Sequence, residues 1–374
     1  MDGGTTWASS LDLPSVNDPS APNGSLATFN AITSVQLPNG ESQLVATGRI
    51  KRVNNAAGVL SGQWLTVRSR DVGATWEAID EYTHDSYNQI SGVTAPRGVA
   101  LDQNGNIYVV GSAEETVVGS GRKPTTTTVD HWLIRKGVAN ADGSVTWSIV
   151  GDIPFTVSTD AEKANTYPSC VACVGNNVFV GGGGGSTLQV WKSSDAGANW
   201  QVILSTYRLN SVDQWHAFGI AGDSLGHAYV VGQGYGLSST TGQGKNATTV
   251  TDKFWFVMKE SADGTYFSQL GSYYRYPVSN GTAGAYAVTV APNDDVFVTG
   301  YGASPTAPIR WVTRQYAAAT GAWTTTDDFS LSPTGYAEGR GITSDPFGHV
   351  FVAGVATNPP NTQYGWLVRR KLTP

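Results

Sequence analysis

A short apolar strand ending in glycine occurs six times along the chain, and no other feature restricts the fold as strongly. The copies are Gln43 to Gly48, Ile107 to Gly111, Val178 to Gly181, Ala228 to Gly232, Val296 to Gly300 and Val350 to Gly354. Most follow a polar turn, such as Asp102 to Asn106 or Pro292 to Asp295. Before the turn comes a strand of small residues, such as Gly98 to Leu101 or Gly341 to Ser344. After each glycine comes a loop, then a third strand with a Trp and a basic residue. These strands are Trp64 to Arg68, Trp132 to Arg135, Trp191-Lys192, Trp255 to Lys259, Trp311 to Arg314 and Trp366 to Arg369. A fourth strand begins near Trp76, Trp147, Trp200, Tyr266 or Trp323. A supersecondary unit that repeats at a fixed period buries its apolar faces only against its own copies. Four antiparallel strands present six times are the blades of a β-propeller. The expected fold is all-β: a single six-bladed β-propeller domain over residues 1–374.

The third and fourth strands are joined by a turn that reads S-x-D-x-G-x-T-W at Ser69 to Trp76. It returns at Ser193 to Trp200 with Asn in place of Thr, and a truncated copy stands at Asp2 to Trp7. The Asp side chain is expected to accept bonds from N–H groups two and three residues on. Gly supplies a backbone angle that a side chain would forbid, and the Trp buries a large apolar face. The sixth unit ends after its third strand, Trp366 to Lys371. Asp2 to about Leu13 is therefore expected to supply its fourth strand and close the ring, which removes exposed sheet edges. Because Met1 stands inside a truncated turn, a leader or a neighbouring domain is expected upstream of it in the natural protein.

Six blades and this turn resemble the sialidase-like, Asp-box (BNR-repeat) six-bladed propellers. The resemblance covers the whole chain at the level of repeats, with degenerate traces of the turn at Asp142 to Trp147, Asp263 to Tyr266 and Thr320 to Trp323. That family includes sialidases, other exo-acting glycoside hydrolases and non-catalytic members, so the resemblance implies a carbohydrate-active propeller. Sialidases carry an arginine-bearing motif in the first blade and an arginine triad for the substrate carboxylate. Here the first innermost strand, Ala27 to Ile32, has no Arg, and no full triad can be placed. The strand Val296 to Gly302 is also similar to bacterial extracellular propeller repeats.

Composition narrows the partners. Hydrophobic residues make up 40% of the chain and charged residues only 14%, with a net charge of -6. A polar but uncharged surface is common in secreted bacterial β proteins, so an extracellular or cell-surface location is expected. No basic run is present, which argues against nucleic acid. No apolar run approaches the roughly 18 residues of a membrane span. Cys170 and Cys173 lie on an alternating strand, where i and i+3 point to opposite faces. They are expected to be free thiols, not a disulfide or a redox pair. No motif for a metal or another cofactor is found. A structural calcium would have Asp294-Asp295 or Asp327-Asp328 as ligands. A monomer, or one module of a larger chain, is expected.

Aligned on their small residues, the innermost strands give one residue per blade: Asn30, Arg97, Ser169, Phe218, Tyr286 and Arg340. Two positions earlier stand Thr28, Ala95, Tyr167, His216, Gly284 and Glu338. If these side chains face the axis, Arg97, Arg340, Tyr286, Tyr167, His216 and Glu338 line a mouth whose arginines and tyrosines would take a carboxylate, a sulfate or sugar hydroxyls, with Arg offering a planar fork. The alternative is that they plug the channel and pair internally, Arg340 with Glu338 for example. Trp215 is the one Trp outside the repeat positions and stands at the entry to a first strand, where it either stacks on a sugar or packs under the long blade-four loop. A glycosidase needs two carboxylates, roughly 5–5.5 Å apart for retention or 6.5–9.5 Å for inversion. The best pair by position is Asp213 with Glu338. Asp85, Asp130 and Asp252 are further carboxylates on the same face. Two long segments rise there as well, Ser112 to His131 and Gln233 to Lys253. Two readings stand: a secreted glycoside hydrolase, and a non-catalytic carbohydrate- or protein-binding propeller.

Overall fold

The computed structural model describes residues 28–37, 40–54, 59–83, 95–118, 126–156, 166–184, 187–206, 215–235, 239–241, 248–250, 253–278, 281–304, 306–357 and 364–371. Among these residues every regular element is a strand. The strands form six antiparallel sheets, the blades of a six-bladed propeller, and one small hairpin. Blade one holds β1 (Thr28–Gln36), β2 (Ser42–Asn54), β3 (Val59–Ser69) and β4 (Glu77–Tyr82). Blade two holds β5 (Ala95–Leu101), β6 (Ile107–Val118), β7 (Thr126–Ala139) and β8 (Val145–Thr156). Blade three holds β9 (Tyr167–Val174), β10 (Asn177–Gly184), β11 (Thr187–Ser193) and β12 (Gln201–Thr206). Blade four starts with β13 (His216–Gly222) and β14 (Ala228–Tyr235). The hairpin of β15 (Ser239–Thr241) and β16 (Thr248–Val250) follows, then β17 (Lys253–Glu260) and β18 (Phe267–Gln269) complete the blade. Blade five holds β19 (Thr282–Val290), β20 (Val296–Ser304), β21 (Ala307–Ala317) and β22 (Ala322–Phe329). Blade six holds β23 (Ala337–Ser344), β24 (Val350–Thr357) and β25 (Tyr364–Lys371). The chain packs as two compact units, Met1–Cys173 and Val174–Pro374. Blades one and two belong to the first and blades four to six to the second.

The repeated Trp and the repeated Gly explain one another. In blade three Trp191 stands opposite Val180, ahead of the glycine, but in four other blades the third-strand Trp stands opposite the residue that follows the glycine: Trp64 opposite Arg49, Trp132 opposite Ser112, Trp255 opposite Gln233, Trp311 opposite Tyr301. All four indoles are fully buried. In the first unit Trp64 packs with Val45, Val99, Ile107, Val109, Ala113 and Leu133. Its ring runs under the next blade, where a Cβ on Gly111 would lie 2.6 Å from Trp64 Cζ2. In the second unit Trp311 lies under blade six in the same way, 2.8 Å from a Cβ on Gly354. Trp366 takes the equivalent register opposite Val355 but is 81% exposed. Blade six has three strands among the described residues, and the segment expected to complete it, Asp2 to Leu13, lies outside them.

The basic residue of the third strand ties blade to blade. Arg135 Nη1 reaches Asp80 Oδ2 on β4 at 2.5 Å, and both side chains are buried. Arg369 Nε reaches Asp327 Oδ2 on β22 at 2.7 Å. Lys192 Nζ meets Glu260 Oε1 at 2.7 Å, and Glu260 also accepts from the Ala228 N–H.

The S-x-D-x-G-x-T-W turn is closed by side chains. Ser69 Oγ accepts from the Gly73 N–H and donates to Asp71 Oδ1, each at 2.8 Å. Asp71 accepts from the Thr75 N–H at 2.8 Å and from its hydroxyl at 2.6 Å. The second copy repeats this, with Asn199 Nδ2 donating to Asp195 at 2.7 Å. The Asp thus reaches four residues on, further than the expected two or three, because two successive residues are left-handed. Val72 and Gly73 have φ of 57° and 90°, and Ala196 and Gly197 have 58° and 96°.

The long segments between second and third strands are partly strand. In blade two, β6 and β7 stay paired as far as Val118 and Thr126. In blade four, β15 and β16 pair as the separate hairpin. Both runs are Thr-rich, and β-branched residues favour an extended ladder where polarity alone reads as loop. Cys170 and Cys173 form no disulfide, and burial pushes the Cys173 thiol up to about 12.

Candidate functional site

The first strand of each of five blades skips one residue in its ladder with the second strand. The skipped residue is Asn30 in β1, Arg97 in β5, Phe218 in β13, Tyr286 in β19 and Arg340 in β23. A β-bulge leaves one residue outside the pairing and re-aims its side chain. These are five of the six residues that the sequence alignment placed in one ring. The sixth, Ser169, is half-buried on β9. Every bulge faces the repeat glycine, with Pro96 opposite Gly111 and Gly339 opposite Gly354. A Cβ on Gly111 would lie 2.3 Å from the Ala95 carbonyl oxygen, and one on Gly354 would lie 2.2 Å from that of Glu338. Gly111 and Gly354 therefore each serve two contacts, the bulged strand of their own blade and the tryptophan of the blade before.

In the first unit, Asn30 Nδ2 donates to the Pro96 carbonyl at 2.6 Å. The next residue, Arg97, lays its guanidinium 4.2 Å over the Tyr167 ring, a cation–π contact. Burial raises the Tyr167 phenol, with Arg97 pulling the other way. Arg49, directly after Gly48, is pushed down by burial and by the charge of Arg97. The Nε of Arg49 and that of Arg97 are buried and meet no hydrogen-bond partner among the described residues.

The second unit gathers more. The Phe218 ring stacks on buried His216 at 4.6 Å and meets Tyr286 edge-on at 5.7 Å. The Arg340 guanidinium lies 4.4 Å from the Tyr286 ring centroid and forms an ion pair with Glu338. Glu338 is 2% exposed, while the Arg340 side chain is 52% exposed, so the cation faces solvent with the carboxylate behind it. Tyr286 and Tyr336 also hydrogen-bond Glu338. Burial first, then that carboxylate, raises both phenols, Tyr286 to about 12. Tyr301 stands 5.6 Å from Tyr286 and donates to Gln233 Oε1 at 3.0 Å. Its ring fills the space left at Gly284, where His216 and Glu338 stand in their own blades, and a Cβ there would be 2.4 Å away. Trp215 stacks on Phe256 at 5.6 Å and meets Phe254 and Tyr273 edge-on at 5.2 and 5.9 Å.

Of the residues singled out in the sequence, the structure therefore brings Tyr286, Glu338 and Arg340 together, and Arg97 and Tyr167. His216 reaches Tyr286 through Phe218, and Trp215 belongs to an aromatic cluster of blade four. Asp213 lies outside the described residues, as do Asp85 and Asp252; Asp130 is buried on β7. Arg49, Gln233 and Tyr301 were missed. All three directly follow the repeat glycine, where the six copies read Arg, Ser, Gly, Gln, Tyr and Val. That variation at a fixed register was a legible signal. The acidic pairs considered for calcium are engaged by the protein. Asp294 accepts from Ser224, Asp295 from Gln315 and the Ala318 N–H, Asp327 from Arg369, and Asp328 from Arg310. Among the described residues no three His, Cys, Asp or Glu side chains converge as metal ligands.

Phenol hydroxyls, an amide, an arginine and ring faces on neighbouring strands are groups that bind sugar hydroxyls and the apolar face of a pyranose or furanose. A β-propeller repeat family model (SBBP) matches residues 89–115, the start of blade two. No curated protein sequence matches the chain. Among solved structures, the chain is similar to the leech intramolecular trans-sialidase, with 11% identity, 94% of this chain and 67% of that one covered, and a TM-score of 0.50. The intramolecular trans-sialidase of Ruminococcus gnavus gives 10% identity, coverage of 87% and 90%, and a TM-score of 0.47. The α-L-arabinanase of Penicillium chrysogenum gives 15% identity, coverage of 87% and 88%, and a TM-score of 0.44. At 11% identity the likeness to the leech enzyme bears on the fold alone.

Proposed function

We propose that the chain is an extracellular carbohydrate-active propeller that engages a glycan through the bulge residues of its first strands, centred in the second unit on Arg340 and Tyr286. The observation that carries this reading is the Arg340 side chain, half in solvent, stacked on Tyr286 and backed by buried Glu338. Tyr336, Tyr301 and Gln233 add hydroxyl and amide groups around it. In the hydrolase form of this reading, Glu338 and Asp213 are the two carboxylates across the scissile bond. The binding-module form is favoured by one specific observation: Glu338 is already held by Arg340 and two phenols, as a structural anion would be.

A thermal-shift panel of plant and microbial polysaccharides, read together with release of reducing ends, tests the proposal. A glycan should raise the melting temperature of the wild type. Arg340→Ala and Tyr286→Ala should each weaken binding by roughly 10-fold or more, the loss of about one good contact. Trp215→Ala tests whether the blade-four cluster extends the site. Reducing-end release that Glu338→Gln abolishes while binding persists would establish the hydrolase; binding without release would establish the module. No response to any glycan would sink both.

A further inference from the structure

Charge accounting on the second unit narrows the ligand. Among the described residues that touch Tyr286, one is cationic, Arg340, and its charge is met from inside the protein by Glu338. The two lie two residues apart on β23, Arg340 at the bulge and Glu338 in the paired stretch before it, so the pairing is built into one strand. Glu338 cannot turn away to make room, because it is buried and is also bonded by Tyr286 and Tyr336. A ligand carboxylate or sulfate approaching Arg340 would meet a guanidinium already neutralised and a fixed negative charge behind it. Like charges brought together in a partly desolvated site disfavour the wrong partner. What the site still offers is neutral: phenol hydroxyls, the Gln233 amide and ring faces.

We propose that Glu338 is an internal counter-anion, so that the Arg340–Tyr286 site takes an uncharged sugar and turns away a carboxylated or sulfated one. This rests on the carbohydrate reading above and names the class of sugar. Glu338 occupies the place that a substrate carboxylate would take on an open arginine.

The test compares matched ligands by calorimetry on the whole protein. Neutral galacto-, gluco-, xylo- and arabino-oligosaccharides are set against galacturonate, glucuronate, sulfated and sialylated counterparts. Each is measured on the wild type, Glu338→Gln, Arg340→Met and the double variant. Arg49 and Arg97 carry charge of their own in the first unit, so the readout is the part of binding that depends on Arg340. In the wild type, neutral-sugar affinity should fall with Arg340→Met, whereas any acidic-sugar signal should not change. Glu338→Gln, nearly isosteric, should gain roughly 10–100-fold for the acidic sugars, and Arg340→Met should abolish that gain. Acidic-sugar binding in the wild type that is lost with Arg340→Met would overturn the proposal. So would a Glu338→Gln protein with wild-type circular dichroism and no gain. If no sugar of either class binds the wild type, it is the carbohydrate reading that falls, and this inference falls with it.

Discussion

At the scale of the residue, one glycine per blade does what no other residue can. Gly111 lies opposite a bulge on its own blade and over the tryptophan of the blade before. Gly111→Ala should therefore lower the unfolding free energy by at least about 1–3 kcal/mol, the range for overpacking a filled site. Gly341 is a fair control, since a Cβ there would meet nothing within 4 Å. Gly341→Ala should stay within about 0.5 kcal/mol of wild type. Equal urea midpoints for the two variants would refute the close-approach account. The glycine itself was plain in the sequence as the end of a repeated strand. Its reason was not, because the carbonyl and the indole that exclude a side chain come from elsewhere in the chain. The ring residues show the same limit. Alignment on small residues found Arg97, Phe218, Tyr286 and Arg340, yet nothing in the letters says that each stands on a bulge.

At the scale of the element, blades are joined by packed indoles and by buried ion pairs. Burial pushes the Asp80 carboxyl up to about 6 and lowers Arg135, so desolvation works against both charges of their pair. Such a pair adds little net stability but is costly to break, because removing one partner strands the other. Asp80→Ala should destabilise by about 3 kcal/mol, and Asp80→Leu combined with Arg135→Met should recover most of the loss. Chemical denaturation of the three proteins checks this; a double variant as unstable as the single one would contradict it. The basic residue after each third-strand Trp was legible as a repeat feature. Its acidic partner was not, since Asp80 stands 55 residues from Arg135 and only blade-to-blade packing makes them neighbours.

For the whole molecule, the pH range of stability should have two limbs of different origin. Hydrogen bonds from Thr75 and Ser69 hold the Asp71 carboxyl down to about 2 from an ordinary 3.8, and Asn199 and Ser193 do the same for Asp195. A depressed carboxyl stabilises the fold above its unfolded value and loses that stabilisation as pH falls through the folded one. The acid limb should therefore run from about pH 4 to about pH 2, and Asp71→Asn with Asp195→Asn should flatten it. The alkaline limb has the opposite sign. Tyr286, raised to about 12 from 10.0, favours the neutral phenol in the fold. Stability should then drop between about pH 10 and pH 12, and Tyr286→Phe should lessen the drop. Melting curves across this range test both limbs; an unchanged acid slope in the double Asn variant would show that the turns do not set it. The sequence by itself determined the number of blades, their strand order and the register of Gly, Trp and turn, because periodic local chemistry specifies a repeated unit. The tertiary structure alone decided which ring residues meet. Bulges re-aim those side chains, and only then does Arg340 stack on Tyr286 of the blade before, with Glu338 beneath it.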